Sequence, residues 1–155
     1  MKEGISAIPD KLATRIAEQS QRNLRRAILS LEACKAQHYP FDENTPVAIA
    51  DWEIFISQLA DGIVQEQSTK RLHLVRGKLF ELLANCIPAN IIFETLSKQL
   101  MRKMDNNLKH EIAHWAAHYE HQSRLGTKAI FHLEAYVAKV MKIYKTFLLS
   151  FGMDM

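Results

Sequence analysis

Two groups of residues in this chain have types and spacings that could do chemistry. The first is His110-Glu111-Ile112-Ala113-His114, an H-E-x-x-H pattern, with His118 and His121 following in the same stretch. Two imidazoles four residues apart on a helix can hold zinc, while the glutamate between them acts as general base in a hydrolase. A helix turns about 100° per residue, so His110, His114, His118 and His121 fall within roughly 80° of one another. Leu108, Ile112, Trp115, Ala116 and Tyr119 form the apolar stripe of the same helix, on the opposite side. The histidines are therefore expected to face away from the core. A catalytic zinc site needs a third ligand, a cleft and partners for the second ring nitrogens, none of which an outward face supplies. The longer metzincin pattern would also want Gly at Ala117 and His at Glu120. A polar or partner-facing surface is the preferred reading, with no resident metal expected.

The second group is Arg22, Arg25 and Arg26. These residues open a helix, and the start of a helix already attracts anions through its free N–H groups and dipole. Phosphate is the ligand that would use both features. A solvated basic face is the plainer alternative.

Helices must position both groups. The chain has 155 residues, is 48% hydrophobic and contains five glycines and four prolines, which is lean in turn formers and favours an all-α fold. Pro9 opens a first helix with Leu12, Ile16 and Ala13 on its stripe. Ser20 is the expected N-cap of a second, carrying Leu24, Ala27, Ile28 and Leu31. Periodicity stops from His38 to Ala50, where Pro40 and Pro46 lie among turn formers, so residues 39–50 read as a linker between two domains.

Beyond the linker, Asp51 can cap a helix with Trp52, Phe55, Ile56, Leu59 and Ile63 on one stripe, and Gln67-Ser68 marks a break. A fourth helix carries Leu72, Val75, Leu79, Leu82, Leu83 and Cys86 at helical spacing. Pro88 ends it and opens a fifth, through Ile91, Ile92, Leu96 and Leu100. Asp105-Asn106-Asn107 starts the histidine-bearing sixth, Gly126 offers it a left-handed stop, and the last runs through Ile130, Leu133, Val137, Val140, Met141, Tyr144, Phe147 and Leu148.

Cys34 and Cys86 have no C-x-x-C spacing and read as reduced thiols, Cys34 in a core, which suits an intracellular compartment. The N-terminus lacks the apolar run of a signal peptide, and no segment has the length of a membrane span, so a soluble protein with no membrane partner is expected. The formal charge of +3 is modest for a nucleic-acid binder.

The segments SQRNLRRAILSLEAC, HYPF, DWEIF, VRGKLFELLANCIP and LGTKAIFHLEAYVAK, in this order and spacing, resemble the C-terminal portion of replication factor C subunit 3 proteins, small subunits of the eukaryotic clamp loader. The resemblance covers about Gly4 to Phe147. It implies that residues 1–38 are part of the helical lid of an AAA+ ATPase and residues 51–155 a helical-bundle collar of about five helices. In that family the second lid helix carries the sensor-2 arginine, matched here by Arg25, with Arg22 a second candidate. Many small subunits have Gly-Asp-Met before that arginine, where this chain has Arg22-Asn23-Leu24.

The resemblance further implies assembly with other replication factor C subunits into a heteropentamer, ATP and magnesium in the intact complex, and nuclear loading of the sliding clamp PCNA onto primer-template DNA. Trp52, Leu79, Tyr136, Val140 and Tyr144 are the candidate interface residues of the collar. The chain contains no G-x-x-x-x-G-K-[ST] loop, so it is not expected to be an enzyme or to hold a cofactor alone. Two competing readings are a zinc-dependent hydrolase built on His110, Glu111 and His114, and a free-standing helical nucleic-acid binder using Arg22, Arg25, Arg26 and the lysines of the last helix.

Overall fold

A computed structural model describes residues 8–20, 22–47 and 49–153, the last three by backbone only. Residues 1–7 and Gln21 of the expected lid, Ala48 of the expected linker, and Asp154 and Met155 of the expected collar lie outside the described residues. Seven helices account for the regular structure among the described residues: α1 Asp10–Gln19, α2 Leu24–Gln37, α3 Asp51–Gln65, α4 Thr69–Ala84, α5 Ala89–Lys103, α6 Asn106–Leu125 and α7 Ala129–Met153. None of them is long and apolar enough to cross a membrane. The chain divides into two compact units, Met1–Ala50 and Asp51–Met155.

In the first unit, Leu12 and Ile16 of α1 and Cys34 of α2 are buried, whereas Ala13, expected on the α1 stripe, is exposed. The segment after α2 is not a free tether. Arg15 Nη2 donates to the carbonyls of Glu43 at 2.6 Å and Thr45 at 2.9 Å. Thr45 is buried, its hydroxyl accepts from Asp42 N at 2.8 Å, and Cys34 Sγ lies 3.5 Å from the Pro46 carbonyl oxygen. Lys11 pairs with Glu43, and the Tyr39-Pro40 bond is cis. Residues 39–47 thus close over α1 and α2. A composition rich in Pro and turn formers marks the end of a helix, and it also suits an ordered loop whose carbonyls find donors.

The second unit is a five-helix bundle. Its core is continuous through Ile56, Leu59 and Ile63 of α3, Val75, Leu79 and Leu82 of α4, Ile92, Phe93, Leu96 and Leu100 of α5, Leu108 and Ile112 of α6, and Leu133, Tyr136, Val137 and Val140 of α7. Burying each such aliphatic side chain contributes about 1.5–3 kcal/mol before entropy is subtracted, which is why the stripes and not the propensities fix these helices. The boundaries have local causes. Ser68 Oγ caps α4 by accepting from Arg71 N at 3.1 Å, Pro88 sits at the N-cap of α5, and Asp105 caps α6 by accepting from Asn107 N at 2.9 Å. The Ser68 hydroxyl, helped by Arg71, also holds the Glu66 carboxyl below its ordinary pKa.

Three sequence expectations fail here. Gly126 ends α6 in extended backbone, φ −89°, and not in a left-handed stop. A Cβ at Gly126 would run into the tip of the His132 ring, so a larger residue there requires that ring to shift. Leu148, expected on the buried stripe of α7, is 46% exposed. Cys86 is exposed and outside α4, which stops at Ala84. Its φ is 59°, its N–H donates to Leu83 O at 3.1 Å, and the Ile87 N–H donates to Leu82 O at 3.1 Å. Those two bonds are a Schellman stop with cysteine in the left-handed position that glycine prefers. Cys86→Gly should therefore raise stability by about 1 kcal/mol, read as a higher thermal midpoint.

The Tyr136 hydroxyl is buried with no hydrogen-bond partner among the described residues, its ring 5.7 Å from that of Phe93. Burial pushes this phenol above its ordinary pKa. The native state keeps the proton after the unfolded chain has lost it, so stability falls as pH rises above about 10. Tyr136→Phe is expected to add about 1–3 kcal/mol at neutral pH and to lessen that alkaline loss, as measured by denaturant unfolding at pH 7 and 10.5.

Candidate functional site

The arginine group sits at the turn from α1 into α2. Asn23, and not Ser20, is the N-cap: its side-chain oxygen accepts from Arg26 N at 3.2 Å. Ser20 instead closes α1, buried, with its own N–H donating to Ile16 O at 2.9 Å. Arg22 lies before the helix with φ 62°, its N–H bonded to Ala17 O at 3.3 Å. Arg25 and Arg26 lie in the first turn of α2, which contains no acidic residue.

Arg22 and Arg25 are exposed and Arg26 is half-buried. The backbone N–H groups of Leu24 and Arg25 find no acceptor among the described residues, while the next two are taken by Asn23. Two N–H donors without an acceptor among the described residues, beside two exposed arginines, make a positive corner suited to a phosphate oxygen.

The same helix presents an uncovered apolar face. Leu24 is 75% and Ile28 56% exposed, and Leu29 is exposed beside them, although Leu24 and Ile28 recur at helical spacing. Helical periodicity reports which residues share a face, and a two-helix unit has too little surface to cover it.

On α6, His110, His114, His118 and His121 are all exposed, and Glu111 is half-buried. Among the described residues no three His, Cys, Asp or Glu side chains converge to hold a metal. The histidines do not all turn away from the stripe. His114 and His118 set their rings edge-on to Trp115 at 5.4 and 5.5 Å, and Lys139 Nζ sits 4.0 Å over the same indole. These neighbours of Trp115 along the helix flank its half-buried ring, which draws both imidazoles toward the α6–α7 edge.

The five candidate interface residues separate into two kinds. Leu79, Tyr136 and Val140 are wholly buried in the chain's own core, so a partner cannot touch them; their selection as interface residues is corrected. Trp52 and Tyr144 are partly exposed and pack on the edge of that core. What the sequence reading missed is the surroundings of Trp52: a cavity of about 430 Å³ lined by Asp51, Trp52, Phe55, Glu81, Asn85 and Ile87, among others.

Residues 52–148 match the family described as replication factor C subunit 3, C-terminal domain. The chain belongs to that family. Residues 1–36 match a second description, the AAA+ ATPase lid domain of the RCF1/5-like kind, so the two-part organisation has a family counterpart on each side of the 39–50 segment. Among curated relatives, the chain is 59% identical to replication factor C subunit 5 of Oryza sativa over 143 residues, which are 92% of this chain and 40% of the relative. It is 54% identical to replication factor C subunit 3 of Arabidopsis thaliana over the same coverage. It is 49% identical to replication factor C subunit 3 of Homo sapiens over 147 residues, 95% of this chain and 41% of the relative. The chain thus spans about 40% of the length of the curated relatives it matches.

Proposed function

We propose that this chain is the lid and collar of a clamp-loader subunit, joining other replication factor C subunits through its bundle and sensing ATP through Arg25. The observation that carries the reading is the succession of a lid match over residues 1–36 and a C-terminal-domain match over residues 52–148 in one chain. Two features of α2 support it. Arg25 is exposed beside N–H groups that have no acceptor among the described residues, and the Leu24–Ile28 face lies uncovered, as suits a lid that meets an ATPase core.

These residues fit the phosphate part of ATP. In the intact complex the bound nucleotide supplies the phosphate charge that draws the lid inward, and the collar carries that movement to neighbours that hold PCNA and primer-template DNA. The setting is nuclear, where such a complex replicates DNA.

The test uses the intact subunit in the reconstituted pentamer. Arg25→Ala removes one or two charge-assisted bonds, each worth about 1.5–3 kcal/mol, and should weaken ATP-dependent clamp opening by about ten-fold or more while pentamer yield is unchanged. Failure to assemble would make Arg25 structural, and unchanged opening would remove it from nucleotide sensing. If residues 51–155 never join the other small subunits at micromolar concentration, the collar assignment is wrong.

A further inference from the structure

We infer that the groove between the start of α3 and the end of α4 is the seat for a lysine- or arginine-bearing helix of a neighbouring replication factor C subunit; this rests on the collar reading above. The groove encloses about 430 Å³. Its apolar walls include the half-buried Trp52, Phe55 and Ile87, and its charged lining residues are the exposed Asp51 and Glu81. Neither carboxylate has an ion-pair partner among the described residues. Lys78 lies 5.4 Å over the Phe55 ring and lines a separate cleft.

The placement of Glu81 is informative because folding does not favour it. It lies in the last turn of α4, at the negative end of the helix dipole, where an acidic group is unfavourable and a basic one would be stabilising. Two unpaired carboxylates beside an indole and a phenyl ring suit the head and stem of a long cationic side chain, which can bury its methylenes against the rings and pair its charge at the rim. Trp at the centre of such a groove is the residue type that most often anchors an interface.

The opposite end of α4 carries the reciprocal chemistry. There a groove of about 300 Å³ is lined by Leu72, Met141 and Leu149, with Lys142 and Lys145 as its charged residues. The two grooves stand roughly 20 Å apart along α4, at 1.5 Å per residue from Thr69 to Leu82. A bundle that is acidic and aromatic at one end and basic and aliphatic at the other is built for head-to-tail contacts, the kind that close rings, and not for a two-fold pair. A related collar presenting a basic helix face like that of Lys142 and Lys145 on α7 supplies the chemistry the acidic groove lacks.

The experiment compares the full chain with Asp51→Asn/Glu81→Lys and with Glu81→Gln in titrations against the other replication factor C small subunits at 50 and 300 mM salt. Wild-type binding should weaken with salt. The double variant should lose at least about ten-fold in affinity together with most of that salt dependence, and Glu81→Gln a smaller part of each. Both side chains are exposed, so unchanged helical circular dichroism and thermal midpoint show that folding is intact, and Glu81→Gln reports on the groove even if the double variant is perturbed. Wild-type association that neither substitution alters by two-fold overturns this assignment and leaves the collar reading standing. Absence of wild-type association overturns the collar reading itself, and the groove assignment with it.

Discussion

Leu79→Ala is expected to lower the unfolding free energy by about 2–5 kcal/mol, a large fraction of what a domain of this size possesses. Leu79 is wholly buried within the second unit, in the core where α3, α4, α5 and α7 all contribute side chains. Removing its isobutyl group forfeits the transfer free energy of the buried carbons and leaves a void that a well-packed bundle cannot fill by collapse. The measurement is the denaturant midpoint of the isolated chain, with circular dichroism reporting loss of helix. The isolated chain matters because an interface residue and a core residue give opposite results in it. A pure interface position would leave its stability within about 0.5 kcal/mol of wild type and show its effect only on association. Leu79→Ala should instead unfold the isolated chain earlier, and Val140→Ala should follow it for the same reason.

Leu79, Tyr136 and Val140 show where the sequence stops being legible. Helical periodicity identifies Leu79 and Val140 as stripe residues of α4 and α7, whereas Tyr136 lies outside the periodic set, and the helices form where that spacing requires. Whether such a stripe faces its own domain or a neighbouring subunit depends on which other helices cover it, a tertiary fact that no local pattern carries. Leu24 and Ile28 show the reverse. They repeat like core residues, yet among the described residues the first unit contributes α1, α2 and the 39–47 segment, and that surface stays open.

Helix boundaries were legible wherever the capping chemistry is unambiguous, as at Ser68, Pro88 and Asp105. They misled where two caps compete. Ser20 and Asn23 are both good N-cap types, and Asn23 prevails because Ser20 is drawn into the close of α1. Cys86 looked like one more apolar residue on the α4 stripe. Its left-handed backbone depends on Ile87 turning inward, which becomes visible only with Leu82 beneath it. The candidate site divides in the same way. The arginines could be found from residue type and helix position, whereas the acidic groove joins Asp51 and Trp52 to Glu81 and Asn85 from another helix and the turn beyond it.

Arg15→Ala is the second change with a large expected effect, and it falls on the segment that composition had marked as a tether. Arg15 reaches from α1 to the carbonyls of Glu43 and Thr45, 28 and 30 residues away in sequence. One guanidinium nitrogen holding two carbonyls fixes the loop over the helix pair, and hydrogen bonds to a charged group are worth about 1.5–3 kcal/mol each. Alanine would leave both carbonyls to water and free the segment from α1, at a cost of about 2–4 kcal/mol to the first unit. The loss should be local. Limited proteolysis should cut between residues 39 and 47 many-fold faster in the variant, while the second unit unfolds at its wild-type midpoint, because it is a separate compact unit with its own core. Arg15→Lys separates reach from charge: both bonds leave one nitrogen, and a lysine ammonium has donors enough for both but a shorter side chain, so it should recover only part of the protection. A variant as resistant to protease as wild type would return residues 39–47 to the role of a tether whose contacts with α1 contribute nothing.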